Sequence, residues 1–218
     1  MNLQLNVLPP AQRALWDELG AVPGHFVLYG GTAIALQLGH RQSVDYDFFT
    51  SQALNPEMLF ATISFLRTAV TVRQAPNTLT CRVDRAGPVL VSFMGTPMTR
   101  QVNSPCRDPA SGVRLATLLD LAGTKASVVQ QRAEAKDYVD MDALMLAGIS
   151  LPQALSAGQS IFGTRFDPQS TLKALCYFGD GDLASLDLAT RERLSAAVKA
   201  VDLDHLPTMP ATATEIGT

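Results

Sequence analysis

The chain has 218 residues, 47% of them hydrophobic, and a net charge of −3, enough for one large domain or two small ones. It has no run of about 18 apolar residues, which argues against a membrane span, and its start, Met1 to Asn6, lacks the basic segment of a secretory signal. The acidic whole argues against strong non-specific nucleic-acid binding, and three scattered cysteines (Cys81, Cys106, Cys176) fit neither a metal site nor a disulfide framework, so a reducing cytoplasm is expected.

In chain order, Pro9-Pro10 starts a helix that runs to Leu19 and ends at Gly20. Phe26 to Tyr29 reads as a buried strand, Thr32 to Leu38 as a helix, and Val44 to Phe48 as a second strand. Asn55-Pro56-Glu57 is a helix start, with a cap, a proline and an acid in the first turn, and that helix runs to about Arg67. Strands follow at 70–73, 78–83 and 89–94, the last two joined by the turn Asp84 to Pro88. After Ser111-Gly112 the pattern becomes helical: 116–131, 136–147, 151–159, 168–178 and 188–200. The expected fold is α+β: a mixed sheet with helices over 1–112, a helical domain over 113–206 closing a cleft, and a disordered tail over 207–218.

The stretch from Leu28 to Phe49 carries the chemistry. Gly30-Gly31 makes a turn between strand and helix, offering unpaired backbone N–H groups and the positive end of a helix dipole to a phosphate. On the next strand Asp45 and Asp47 alternate, so both carboxylates share a face while Val44, Tyr46 and Phe48 turn to the core. Two adjacent carboxylates repel, and a divalent cation relieves that repulsion. A phosphate cradle beside a metal-binding pair suits nucleotidyl transfer.

This pattern resembles the DNA polymerase β-type nucleotidyltransferase superfamily, whose signature is Gly followed by Gly or Ser, about ten residues, then Asp-x-Asp. Gly-Gly-Thr-Ala33, then Gly39-His40-Arg41-x-Ser43-x-Asp45-x-Asp47-Phe48-Phe49, is similar to the AbiEii/AbiGii toxin family. So is a second block, Asp120 to Lys125 and then Arg132-x-x-x-Lys136-Asp137-Tyr138-x-Asp140. The resemblance spans roughly residues 20 to 205. It implies an enzyme with an NTP substrate and Mg²⁺ or Mn²⁺ held by Asp45 and Asp47. It implies phosphate contacts from Gly30, Gly31, Thr32, Arg41 and Lys136. It further implies a triphosphate contact from Lys125, and Asp137 orienting or deprotonating the acceptor hydroxyl. It implies toxin activity, a tRNA end or other RNA as acceptor, and a separately encoded antitoxin.

Several residues carry a plainer reading as well. Lys125 falls on the apolar stripe of its helix with Leu118, Leu121, Ala122, Val128 and Val129, where an ammonium needs a partner or must snorkel to the edge. Lys136 and Asp140 have i,i+4 spacing, so Asp140 is read as structural. His40 is read as fixing its loop and Ser43 as ordering the turn before the strand.

Seven arginines fall within residues 67–114 against Asp84 and Asp108; Arg73, Arg82 and Arg100 are the candidate phosphate contacts, and a solvated strand surface is the plainer account. One departure stands out: where such enzymes carry a third carboxylate, the strand Val89 to Met94 has Ser92. Either Asp137 substitutes for it from the helical domain, or the chain is a degenerate nucleotide- or RNA-binding regulator without efficient transfer; a transferase with a protein acceptor is a separate alternative.

Overall fold

The computed structural model describes residues 2–96, 100–209 and 214–216. These fall into two units. The first holds the chain up to Arg100, Ser104–Thr117 and residues 214–216; the second holds Gln101–Asn103 and residues 118–209.

The first unit begins with α1 (Pro10–Trp16), followed by β1 (Val27–Tyr29), α2 (Gly30–Leu38), β2 (Asp45–Thr50) and α3 (Pro56–Thr62). Then come β3 (Val70–Ala75), β4 (Thr78–Asp84) and β5 (Pro88–Gly95). After β6 (Arg100–Gln101) the short strands β7 (Cys106–Arg107) and β8 (Arg114–Leu115) close the sheet. Seven strands run in the order β3-β4-β5-β2-β1-β8-β7. β2 is parallel to β5 and antiparallel to β1; β1 is parallel to β8.

Alternation fixes the faces. Tyr46, Phe48, Leu79, Cys81, Val91 and Phe93 are all buried, and Phe48 stacks on Phe93 at 5.6 Å between ring centroids. The Tyr46 hydroxyl donates to the Gln12 carbonyl at 2.9 Å, tying α1 to this face. Val44 departs from the expected pattern: it lies before β2, is 52% exposed, and its carbonyl accepts from the Gln12 side chain at 2.6 Å. The loop entering β2 bends out before alternation begins.

The helix starting at Asn55 is also shorter than its pattern suggests. Its cap is as expected, the Asn55 side chain accepting from the Met58 N–H at 3.1 Å. The helix ends at Thr62 because Ile63 takes an extended backbone and inserts fully into the core; a 3₁₀ turn, 64–68, follows.

The second unit is helical: α4 (Leu118–Val128), α5 (Ala135–Leu146), α6 (Leu151–Phe162), α7 (Pro168–Cys176) and α8 (Leu188–Lys199). Each of the last three starts on a side-chain cap, from Ser150, Asp167 and Asp187. α4 packs against α5, α6 and α7. Asp120, fully buried, accepts from the N–H groups of Val102 (2.6 Å) and Asn103 (3.1 Å), so its place in the second sequence block is structural.

The passage into the helical unit falls after Thr117 rather than at 112, because β8 pairs with β1 and β7 and so belongs to the sheet. Two-residue strands carry too little pattern to be read from sequence. Of the tail expected to be disordered, residues 210–213 and 217–218 lie outside the described residues. Thr214–Glu215 form a short strand, β9, and Ile216 is buried, its carbonyl accepting from the Ser51 N–H at 3.1 Å.

Candidate functional site

Asp45 and Asp47 stand on the half-buried face of β2. Gly30 opens α2 with φ +74°, a left-handed conformation that glycine adopts without strain. A Cβ added there would lie 2.9 Å from Asp47 Oδ2, so the helix start closes onto that carboxylate. Gly31 is equally confined: a Cβ on it would strike the Arg41 guanidinium, with Ser43 Oγ at 3.3 Å. Thus Gly30, Gly31, Arg41, Ser43 and the Asp pair form one cluster.

Thr32 belongs to the cluster in a different way from the expectation. It is buried; its hydroxyl bonds the Asp45 carbonyl and lies 2.8 Å from Ser43 Oγ. This ties α2 to β2 and sets the height of Asp45. A phosphate at this turn would therefore meet the backbone N–H groups rather than the Thr32 hydroxyl.

Sheet register shows what else shares the face. Across β2, β5, β4 and β3 the row through Asp47 runs Asp47, Ser92, Thr80, Arg73, and the row through Asp45 runs Asp45, Leu90, Arg82, Val70. Ser92 is thus the direct neighbour of Asp47, and its hydroxyl meets Thr80 Oγ1 at 3.2 Å. At roughly 4.8 Å per strand, Arg82 lies about 10 Å and Arg73 about 14 Å from the Asp pair. Both arginines are exposed. The other arginines of the basic segment differ: Arg85 makes a two-pronged pair with Glu18, and Arg107 and Arg114 donate to the Gly112 and Gly24 carbonyls. Arg100 is exposed in β6, outside the seven-stranded sheet.

In the helical unit Lys125 does face inward, at 5% exposure, and it does not snorkel. Its ammonium lies 2.5 Å from Asp137 Oδ1 and 2.7 Å from Asp140 Oδ2, both carboxylates fully buried. Arg132 grips Asp137 from the other side, Nε to Oδ2 at 2.7 Å and Nη2 to Oδ1 at 3.2 Å. Burial pushes the Asp137 carboxyl up, but the Arg132 hydrogen bonds and the Lys125 charge outweigh it, and the group is held below the usual carboxylate range. Asp140 is therefore a partner of Lys125 and not of Lys136. Lys136 is exposed and pairs with Glu134 at 2.7 Å. The Tyr138 hydroxyl donates to the Ala174 carbonyl, and the residue packs.

The family model of the AbiEii nucleotidyl transferase toxin, a type IV toxin–antitoxin system, matches residues 13–208. The chain belongs to this family. An uncharacterized protein, aq_aa25 of Aquifex aeolicus, is 32% identical over 126 residues, 55% of this chain and 57% of its own; the chain thus spans little more than half the length of that curated relative. Among solved structures, MenT4, a nucleotidyltransferase toxin from Mycobacterium tuberculosis, superposes with TM-score 0.57 at 15% identity, covering 88% of this chain and 83% of that one. An antigenic nucleotidyltransferase-like protein from Paracoccidioides brasiliensis gives 0.51 at 16% identity, covering 87% and 94%. At these identities the likeness is one of fold, and it places the AbiEii chain among nucleotidyltransferase-like folds.

The donor set around Asp45 and Asp47 fits Mg²⁺ or Mn²⁺. Magnesium is commonly held by one or two carboxylates together with substrate phosphates, without a full protein cage. Among the described residues there is no cluster of three or more acidic, His or Cys ligands, and the register neighbour of Asp47 on β5 is Ser92. No helix among the described residues is long and apolar enough to cross a membrane. Sequence reasoning missed the pairing of Arg132 with Asp137 and of Asp140 with Lys125. The i,i+3 spacing of Asp137 and Asp140 beside an inward lysine was the available signal for the second.

Proposed function

We propose that this AbiEii-family chain moves a nucleoside monophosphate from an NTP to an acceptor hydroxyl. The acceptor oxygen bonds to the α-phosphorus, the bond to the β-phosphate bridge breaks, and pyrophosphate leaves. The observation that carries this reading is the closure of the Gly30-Gly31 helix start onto Asp47. It sets backbone N–H donors and a carboxylate pair side by side, the equipment for holding a metal-bound triphosphate. Asp45 and Asp47 would hold the Mg²⁺ or Mn²⁺, whose chemistry when bound is to neutralise the triphosphate's charge.

The backbone of Gly30, Gly31 and Thr32 cradles phosphate, and Arg41 adds a cationic contact across Gly31. RNA, with a tRNA end first among candidates, is the proposed acceptor, supported by Arg73 and Arg82 on the Asp-bearing face. The family supports the further reading of toxin action held in check by a separate antitoxin.

Incubating the protein and α-labelled NTPs with lysate tests this. Label that is sensitive to ribonuclease supports the reading, and label in protein selects a protein acceptor. Ser92 beside Asp47 favours a second reading, a nucleotide-binding regulator without efficient transfer; nucleotide binding with no label in either fraction is its signature.

A further inference from the structure

At the β7 edge of the sheet two cations face each other. β7 and β8 pair antiparallel, and their register sets Arg107 directly opposite Arg114. Cβ atoms at such positions lie about 4.5–5.5 Å apart, and like charges there are destabilising. The acids nearest in sequence are engaged with other groups. Arg85 takes both oxygens of Glu18, and Asp108 Oδ2 accepts from the Ser111 N–H and hydroxyl at 2.8 and 2.7 Å.

The two arginines line one cavity of about 390 Å³, together with Gly20, Val22, Gly24 and Gly112. No acidic side chain among the described residues lines it. All six residues belong to the first unit, and none belongs to the cluster around Asp45 and Asp47. Close approach holds the walls. A Cβ on Gly20 would strike the Ser111 carbonyl oxygen, so the loop before β1 seats on the β7–β8 hairpin. Gly112 turns that hairpin at φ +78°, and the Arg107 guanidinium folds back over it, Nε donating to the Gly112 carbonyl at 3.2 Å. Arg114 Nη1 donates to the Gly24 carbonyl at 2.6 Å. A guanidinium carries five N–H donors in a rigid fork, so a bond to a neutral carbonyl orients it without cancelling its charge.

Two cations call for two negative charges. A carboxylate or a phosphodiester brings one. A phosphomonoester brings close to two at neutral pH, with three strong acceptor oxygens for the two forks. The cavity has the volume of a small-ligand site, which leaves room beside the phosphate for a small organic group against Val22 and the glycine backbones.

We propose that this cavity binds a phosphate dianion between Arg107 and Arg114, carried by a small phosphomonoester or present as free phosphate. The site does not rest on the nucleotidyltransferase reading.

The test is calorimetric titration of the full chain in a chelator, so that no divalent cation enters at Asp45 and Asp47. The probes are inorganic phosphate, phenyl phosphate, dimethyl phosphate and acetate. The first two should bind at least about tenfold more tightly than the singly charged pair. Tighter phenyl phosphate identifies an ester as the ligand, tighter inorganic phosphate the free ion, and either supports the site. Arg107→Gln and Arg114→Gln should each weaken binding at least about tenfold, the scale of a lost charge-assisted hydrogen bond. Arg41→Gln should leave it unchanged.

Equal affinity for all four anions, or no binding of any, would overturn the proposal. So would loss of binding in Arg41→Gln with wild-type binding in Arg107→Gln, which would place the ion at the Gly30 turn. Weaker RNA binding by Arg107→Gln would make the pair a nucleic-acid contact and overturn it as well. The thermal midpoint gives a second readout: phosphate should raise it in the wild type and not in Arg107→Gln, and an equal rise in both would again count against the site. If Arg114→Gln does not fold, Arg107→Gln, at an exposed position, decides.

Discussion

At the scale of single residues, the cluster around Asp45 and Asp47 is built by close approach. Gly30 has no room for a side chain, since its φ of +74° and the Asp47 carboxylate both exclude one. Gly30→Ala should lower stability by about 1–2 kcal/mol from the left-handed backbone alone, seen as a lower thermal midpoint. It should also weaken metal-dependent nucleotide binding, because the helix start must retreat from Asp47. The Asp pair and the glycine turn were legible in the sequence, for strand alternation and a Gly-Gly turn each leave a short local signature. The partners of Lys125 were not. Periodicity says which way a side chain faces, and an inward lysine needs an anion, but only the packing of α5 on α4 reveals that the anion is a pair of aspartates.

At the scale of elements, β5 decides what β2 can do. Ser92 sits beside Asp47 in register, where a third carboxylate would complete a metal site. Ser92→Asp should lower the thermal midpoint in a chelator, from like-charge repulsion, and Mg²⁺ should restore it by more than it raises the wild type. Equal responses of variant and wild type would mean that this face takes no divalent cation.

Farther along the same rows, Arg82 on β4 and Arg73 on β3 make no ion pair among the described residues and stand on the Asp-bearing face. Removing either should weaken RNA binding across sequences and reduce the salt slope by roughly one. Arg107→Ala, at the other edge of the sheet, should leave the slope unchanged. The long strands, the capped helices α6, α7 and α8 and the hairpin were readable because caps and alternation are local. β7 and β8 were not: two residues carry no period, and missing them moved the expected boundary from 117 to 112.

At the scale of the whole molecule, folding is linked to pH through Asp137. Its carboxyl, despite burial, is held below the usual range by the Arg132 hydrogen bonds and the Lys125 charge. Its folded value therefore lies below its unfolded value of about 4. The stabilisation is fully present above that unfolded value and fades as pH falls through the folded one. Asp137→Asn should be less stable than wild type at neutral pH by about 3–5 kcal/mol, the usual loss on breaking a buried pair. The gap should narrow as the solution is acidified below about pH 4. Denaturant titrations at a series of pH values read this directly; a gap independent of pH would mean that the ion pairs around Asp137 contribute nothing net.

The account stands most directly on one measurement: the rate of label transfer from α-labelled NTP to RNA by wild type, Asp45→Asn, Asp47→Asn and the chain carrying both substitutions, each with Mg²⁺. Both single variants should keep the wild-type fold, since the pair is repulsive without metal. Each should transfer at least about a hundredfold more slowly, the scale of several kcal/mol of transition-state stabilisation. Full activity in the doubly substituted chain would contradict the assignment of Asp45 and Asp47 as the catalytic centre.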